Sequence, residues 1–283
     1  MKKAAFVALI GRPSAGKSTL LNRLCGEKVA IVSAVPQTTR NAIRGIVNRQ
    51  QGQLVFIDTP GRHISEKKAN KKLMEISDQA VSDSDIILYI LDAIRPPGEE
   101  EMDIAAFLVG RTEKTVAAIN KMDDSNANGE RARTFLSHNL SFLAEDRIFN
   151  ISAKNNEGLE PLLSALFDLA GEGDPFYDEE YYTDQEVDFR IAEIIREQAI
   201  NRVREEMPHS LRIEIADTQL SGPPDRQKLW VRAFIIVERE SQKGIVVGKG
   251  GAVIKAIRLG ALKELQGIFD WNIELDLRVK AGR

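Results

Sequence analysis

The sequence predicts an α/β chain in two parts, a doubly wound sheet followed by a small α+β domain. Three observations predict it. Seven apolar residues, Ala4–Ile10, run into the glycine-bounded stretch Gly11–Thr19, GRPSAGKST, and then into the helix-forming LLNRL. Strand-like apolar runs recur downstream, two of them ending in the polar groups NKMD and SAK. After residue 185 the pattern changes to a helix, two alternating strands, a second glycine-rich loop and a final strand. The 283 residues have room for two ordinary domains, divided here as 1–170, a linker at 171–185, and 186–283.

Strand, glycine-bounded loop and helix form the arrangement that cradles phosphate. The pattern G-x-x-x-x-G-K-[ST] is met by Gly11, Gly16, Lys17 and Ser18. Glycines let backbone N–H groups approach phosphate oxygens with no Cβ in the way, and the helix opening near Lys17 adds the positive end of its dipole. Lys17 supplies a charge for the β and γ phosphates, and Ser18 offers a hydroxyl to Mg²⁺. The loop residues Gly11, Arg12, Pro13, Ser14, Ala15, Gly16, Lys17, Ser18 and Thr19 are thus the first nucleotide-binding candidates. Gly26 is the expected helix C-cap.

Ser33–Asn41, SAVPQTTRN, reads as an exposed loop. Strands are expected at Ile43–Arg49 and Leu54–Ile57, joined by QQGQ, a hairpin signal. The second strand ends in Asp58-Thr59-Pro60-Gly61, where a carboxylate at a strand end and an accessible glycine N–H suit Mg²⁺ and a γ-phosphate. Taken alone, D-x-x-G is a common turn; its position one strand past a phosphate loop gives it weight. A charged helix is expected over Glu66–Val81, then a buried parallel strand over Ile86–Leu91. The run Thr115–Ile119 ends in Asn120-Lys121-Met122-Asp123, and Arg147–Ile151 ends in Ser152-Ala153-Lys154. Candidates therefore gather at the carboxyl ends of strands, where doubly wound sheets bind ligands.

Asn120-Lys121-x-Asp123 selects the base. A carboxylate at Asp123 accepts from N1–H and the 2-amino group of guanine together, whereas adenine has no donor at either place. Ser152-Ala153-Lys154 completes the pocket with a backbone N–H to O6. In isolation NKMD also reads as a helix N-cap, with Asp123 or Asp124 before SNANGERARTF.

GRPSAGKS, PQTTR, DTPG, NKMD and SAK stand in the order and spacing of the five nucleotide motifs of the translation-factor-like small GTPases, and residues 1–170 resemble that branch throughout. The resemblance implies the P-loop GTPase form of the sheet. It implies that Thr39 joins the Mg²⁺ ligands in the GTP state beside Ser18 and Asp58, and that Lys17, Thr39 and Gly61 serve hydrolysis. Where relatives that use a monovalent cation carry Asn, this chain has Ser14, which leaves K⁺ open. Arg62 follows Gly61 in place of a water-orienting Gln, so slow intrinsic turnover is expected.

In the second part, Gln185–Glu206 has helical spacing, with Val187, Ile191, Ile194, Ile195 and Ile200 near one face and Pro208 as the stop. Alternating strands are expected at Leu211–Thr218 and Leu229–Glu238. Apolar residues of strand character, Gly244–Val247, precede Gly248-Lys249-Gly250-Gly251 and an amphipathic helix, and a final strand is expected at Asn272–Val279. Glycine-x-x-glycine with a basic residue suits a loop lying against a sugar-phosphate chain, with Lys249 and Lys255 adding charge. The whole order, α-β-β-α-α-β, is the prokaryotic, type II form of the KH module. GTPase plus KH, with the PQTTR switch and GKGG before IKAI, resembles the bacterial Era family over nearly the whole chain. Arg258 and Leu262 depart from its pattern, where Gly and Arg are usual. The resemblance implies binding to the 3′ region of 16S rRNA and a role in maturing the small ribosomal subunit. The residues themselves argue for single-stranded RNA.

Composition narrows the setting. The 43% hydrophobic content is that of a globular chain, and the one cysteine, Cys25, rules out an internal disulfide framework and suits a reducing compartment. The net charge of −3 lies in residues 171–185, GEGDPFYDEEYYTDQ, which hold six acids and no base. No apolar stretch approaches the length of a membrane span. The expectation is a cytoplasmic monomer that hydrolyses GTP with Mg²⁺. A nucleotide sensor that does not hydrolyse, and a GTPase touching the inner face of the membrane peripherally, are the other open readings.

Overall fold

The structure is a computed structural model, and it describes residues 1–33, 41–61, 68–203, 211–223 and 226–282. The PQTTR stretch with Thr39, together with Arg62 and His63, lies outside the described residues. The chain divides into two compact units, one of Met1–Ala30 and Pro36–Asp184, the other of Ile31–Val35 and Gln185–Arg283.

In the first unit, β1 (Lys3–Ile10) leads into the glycine-bounded loop and α1 (Lys17–Cys25). The helix starts at Gly16 (φ 100) and ends at Gly26 (φ 73), the left-handed C-cap that glycine supplies most readily. β2 (Ile43–Arg49) and β3 (Gly52–Asp58) form the antiparallel hairpin expected around QQGQ. There follow α2 (Lys68–Ser82), β4 (Ile86–Asp92), α3 (Glu99–Leu108), β5 (Thr115–Asn120), α4 (Gly129–Asn139), β6 (Ile148–Asn150) and α5 (Leu159–Leu169). Every residue of β4 is buried, as a parallel strand covered on both faces requires.

The strand order is β2-β3-β1-β4-β5-β6, parallel from β3 onward. Parallel strands send their carboxyl ends to one edge, so Gly11, Asp58, Asp92, Asn120 and Ser152 come together there. Ile10, Leu91, Ile104, Leu108, Ile119 and Leu136 form one core cluster beneath that edge. At about 1.5–3 kcal/mol per buried side chain of this size, apolar packing carries the scaffold and frees the polar strand ends for chemistry. α4 is capped by Asn128, whose side chain accepts from the Arg131 N–H at 2.9 Å, so Asp123 is not a cap.

The acidic stretch is fastened to this unit. β7 (Gly171–Glu172) pairs with Lys3 and Ala4 of β1. Beyond it the chain lies along the edge strand β2: the Ile46 N–H donates to the Tyr182 carbonyl at 2.9 Å, and Thr183 Oγ1 donates to the Arg44 carbonyl at 2.8 Å. The Arg44 guanidinium pairs with Asp184 at 2.8 Å. An open strand edge is a liability, and this segment covers it.

In the second unit, α6 (Val187–Ile200) ends short of the expected Glu206, Val203 beyond it is still buried in the same core, and Pro208 lies outside the described residues. β8 (Arg212–Ser221), β9 (Lys228–Val237) and β10 (Asn272–Ala281) make a sheet of order β10-β9-β8, with β9 antiparallel to β8 and parallel to β10. Gly244–Val247 is not a strand. It belongs to a short helix, α7 (Lys243–Val247), since so short an apolar run fits either period. α8 (Ala252–Ile268) follows, which completes the order α-β-β-α-α-β around a core of Ile191, Ile195, Val231, Ile235, Ile257 and Leu265.

Candidate functional site

Lys17 is the centre of the first site. Its ammonium donates to the Gly11 carbonyl at 2.9 Å and the Arg12 carbonyl at 3.1 Å, which holds a positive charge inside the loop. Burial pushes the Lys17 pKa down to about 8, against the opposing pull of Asp58 and Glu100. Beside it, Ser18 Oγ donates to Asp58 Oδ2 at 2.6 Å. A hydroxyl and a carboxylate next to a phosphate cradle are the hard oxygen donors that Mg²⁺ takes, so this pair fits the ion. The loop backbone is held in conformations that favour glycine: Ser14 has φ 64 and Gly16 φ 100. A Cβ on Gly16 would run into the Asn120 amide, and one on Gly61 would sit 2.7 Å from the Pro13 nitrogen. Gly61 is thus what lets the DTPG segment back onto the phosphate loop.

Asn120 ties the two ends of the site together. Its Nδ2 donates to the Ala15 carbonyl at 2.9 Å, and its Oδ1 accepts from the Ala153 N–H at 3.0 Å. Asp123 Oδ1 accepts from the Ser152 hydroxyl at 2.6 Å, and Lys154 Nζ lies 3.7 Å from Oδ2. The Ser152 hydrogen bond, with Lys154 adding, keeps Asp123 below the usual carboxylate range. It is therefore an ionised acceptor, as a guanine-selecting group needs to be.

Some expected ligand contacts are spent inside the protein. The Thr59 hydroxyl donates to the Leu9 carbonyl at 2.7 Å, and of the Ser152-Ala153-Lys154 N–H groups read as a source of the guanine O6 contact, that of Ala153 is on Asn120. The Arg12 side chain turns inward, donating to the carbonyls of Pro96 at 3.2 Å and Arg95 at 3.3 Å and facing Glu101 and Asp92. Asp92 and Glu101 were not singled out from the sequence. Their signal is an acid closing the apolar run 86–91 and an acid in the first turn of the next helix.

The second candidate element joins α7 to α8. Gly248, Gly250 and Gly251 have φ 73, 61 and 78, a run that few side chains tolerate. A Cβ on Gly248 would sit 2.9 Å from the Val253 nitrogen, whereas Gly250 and Gly251 have nothing within 4 Å. Lys249 and Lys255 are exposed. The loop offers bare backbone and charge.

Residues 6–121 match the family model described as 50S ribosome-binding GTPase, and residues 206–282 match the KH domain. GTPase Era of Treponema denticola is 50% identical over 280 residues, covering 99% of this chain and 95% of the relative. The chain belongs to the Era family of GTPases. GTPase Era of Borreliella burgdorferi is 43% identical over 278 residues, covering 98% of this chain and 94% of its own. Among solved structures, Era in complex with MgGDPNP and nucleotides 1506–1542 of 16S ribosomal RNA matches with a TM-score of 0.92 at 32% identity, covering all of this chain and 94% of that one. A single-residue variant of Aquifex aeolicus Era, bound to GDP and aluminium fluoride, matches with a TM-score of 0.91 at 32% identity, covering 99% of this chain and 94% of that one.

Both departures from the Era pattern have structural work. The Arg258 guanidinium donates to the Leu275 carbonyl of β10 at 2.7 Å, and Leu262 packs against the second core.

Proposed function

We propose that this chain is a GTP-hydrolysing switch that binds single-stranded RNA, the 3′ region of 16S rRNA, as an assembly factor of the small ribosomal subunit. The observation that carries it is the joint presence of a built nucleotide site, Lys17 with Ser18–Asp58 at one end and Asp123–Ser152 at the other, and an exposed GKGG loop between two helices. The RNA-bound Era relative spans the whole chain and supports the small-subunit assignment. The 50S wording belongs to a family model that covers only residues 6–121.

In this reading the N–H groups of Gly11–Thr19 and the Lys17 ammonium hold the β and γ phosphates. Ser18, Asp58 and Thr39 would hold Mg²⁺, which neutralises phosphate charge when bound. Asp123 pairs with the guanine edge, and Asn120 fixes the distance between base loop and phosphate loop. The Gly61 N–H faces the γ-phosphate, and water is left without a Gln to orient it, so unassisted turnover is slow. Ser14 supplies no amide ligand for K⁺, and equal hydrolysis rates in K⁺ and Na⁺ are expected. Gly248, Lys249, Gly250, Gly251 and Lys255 hold RNA through backbone approach and charge. The chain is taken as a cytoplasmic monomer. Among the described residues no helix is long and apolar enough to cross a membrane, and peripheral membrane contact has no observation in its favour.

The test is RNA affinity with the protein loaded with a non-hydrolysable GTP analogue or with GDP, alongside phosphate release from GTP. Tighter RNA binding in the analogue state by about fivefold or more is expected, by linkage. Equal affinities together with no phosphate release would overturn the switch.

A further inference from the structure

Between the two ends of the nucleotide site lies a group of buried charges that the proposed function does not use. Asp92 closes β4, with its side chain 1% exposed, and Lys121 of NKMD donates to its Oδ2 at 2.8 Å. Arg12 of the phosphate loop lies 3.6 Å from the same oxygen, and its Nε lies 2.9 Å from Glu101 Oε1. Asp92 Oδ1 accepts from the Ile94 N–H at 2.9 Å. The next residue along, Ala93, donates its N–H to the Asn120 carbonyl at 3.0 Å. One carboxylate therefore meets a cation from the phosphate loop and a cation from the base loop.

We propose that Asp92 is a positioning residue for the guanine nucleotide, its buried carboxylate holding Lys121 in place through their ion pair, with Arg12 on its other side. This rests on the GTPase reading. Three observations favour positioning over simple packing. Lys121 has φ 70, a left-handed conformation that is costly for a non-glycine residue, so something has to over-determine it. Its side chain is 31% exposed, so the ammonium is directed to Asp92 where solvent was available. A buried ion pair gives little net stability over apolar residues of the same size, which makes a carboxylate at a strand end weak as a fold device and useful as an anchor. Burial by itself would raise the pKa of Asp92; the Lys121 and Ile94 hydrogen bonds and the Lys121 and Arg12 charges outweigh it and hold the group ionised. Asp92 makes no contact with nucleotide in this account. It acts through Lys121.

The experiment uses the full chain purified in excess GDP, which holds the fold by mass action, and follows release of a fluorescent GDP after a chase. Asp92→Asn is expected to speed release about tenfold, the size of effect that coupled neighbours show. In a Lys121→Ala background, where release is already fast, Asp92→Asn is expected to add less than about twofold. Asp92→Glu keeps the charge but moves the carboxylate by a methylene, and is expected to speed release several-fold. It serves as the readable variant if Asp92→Asn fails to fold. Wild-type release rates in folded Asp92→Asn or Asp92→Glu, or full additivity with Lys121→Ala, would overturn the proposal. Failure of the wild-type chain to bind GDP at all would instead overturn the GTPase reading beneath it.

Discussion

At the nucleotide site Lys17, Asp58 and Asn120 are at most 6% exposed and each has a named partner, whereas in the GKGG loop Lys249 and Gly250 face solvent and a Cβ on Gly250 would meet nothing. The first is a cage built before its ligand, which suits a small, multiply charged molecule whose every group is read. The second is a bare stretch of backbone, which suits a polymer that brings its own shape and charge. Affinity at the cage should depend on individual contacts. At the loop it should depend on what is absent, namely side chains and negative charge.

The largest effect is expected at Gly16. Alanine there meets the Asn120 amide and demands φ 100 from a residue with a Cβ. Gly16→Ala should weaken GDP binding by roughly a thousandfold, combining strain with a broken phosphate loop. Gly250→Ala, with similar backbone strain but open space around it and only one methyl added where RNA approaches, should weaken RNA binding by no more than about fivefold. Calorimetric titration of each ligand reads both, and comparable losses would erase the contrast between cage and open loop.

Asp123→Asn comes next. It turns one acceptor oxygen into a donor facing guanine's own donors, so GTP affinity should fall by about 3 kcal/mol, roughly a hundredfold. Xanthosine triphosphate, whose 2-oxo group welcomes a donor, should gain. Unchanged GTP binding would mean that the cage is not read at its base end.

Much of this contrast is legible in the sequence, for physical reasons. The phosphate loop, DTPG, NKMD and the β2–β3 hairpin are local patterns whose conformation is set by glycines and by apolar runs of the right period. Gly26, read as a helix C-cap, takes the left-handed conformation of one. What the sequence hides is tertiary. The stretch 171–185 reads as a linker because its acids dominate, yet its aromatic and backbone groups are spent on β1 and β3: Phe176 lies 4.3 Å from the Phe6 ring, and the Phe176 N–H donates to Gln53 Oε1 at 2.8 Å. Thr59 and Arg12 sit inside motifs, and motif position says nothing of which way a side chain turns. Gly244–Val247 is too short an apolar run for its period to separate helix from strand.

Gly250→Asp should lower RNA affinity by about tenfold at low salt, since it places a carboxylate where phosphate approaches, and should leave GDP binding unchanged. Filter binding over a salt series checks it, with a shallower salt slope expected for the variant. The smallest effect concerns Tyr89, whose buried hydroxyl has no hydrogen-bond partner among the described residues. Tyr89→Phe removes a buried polar group that gains nothing, so thermal unfolding should show equal or greater stability, by about 1 kcal/mol. A clear loss would place a partner on that hydroxyl and make the floor beneath the cage a polar network.

The contrast is tested most directly by measuring GDP and RNA affinity in both Asp123→Asn and Gly250→Asp. Independent devices of opposite construction predict a crossed result: Asp123→Asn loses GDP and, without nucleotide, keeps RNA, while Gly250→Asp loses RNA and keeps GDP. Loss of both ligands in either variant would contradict it.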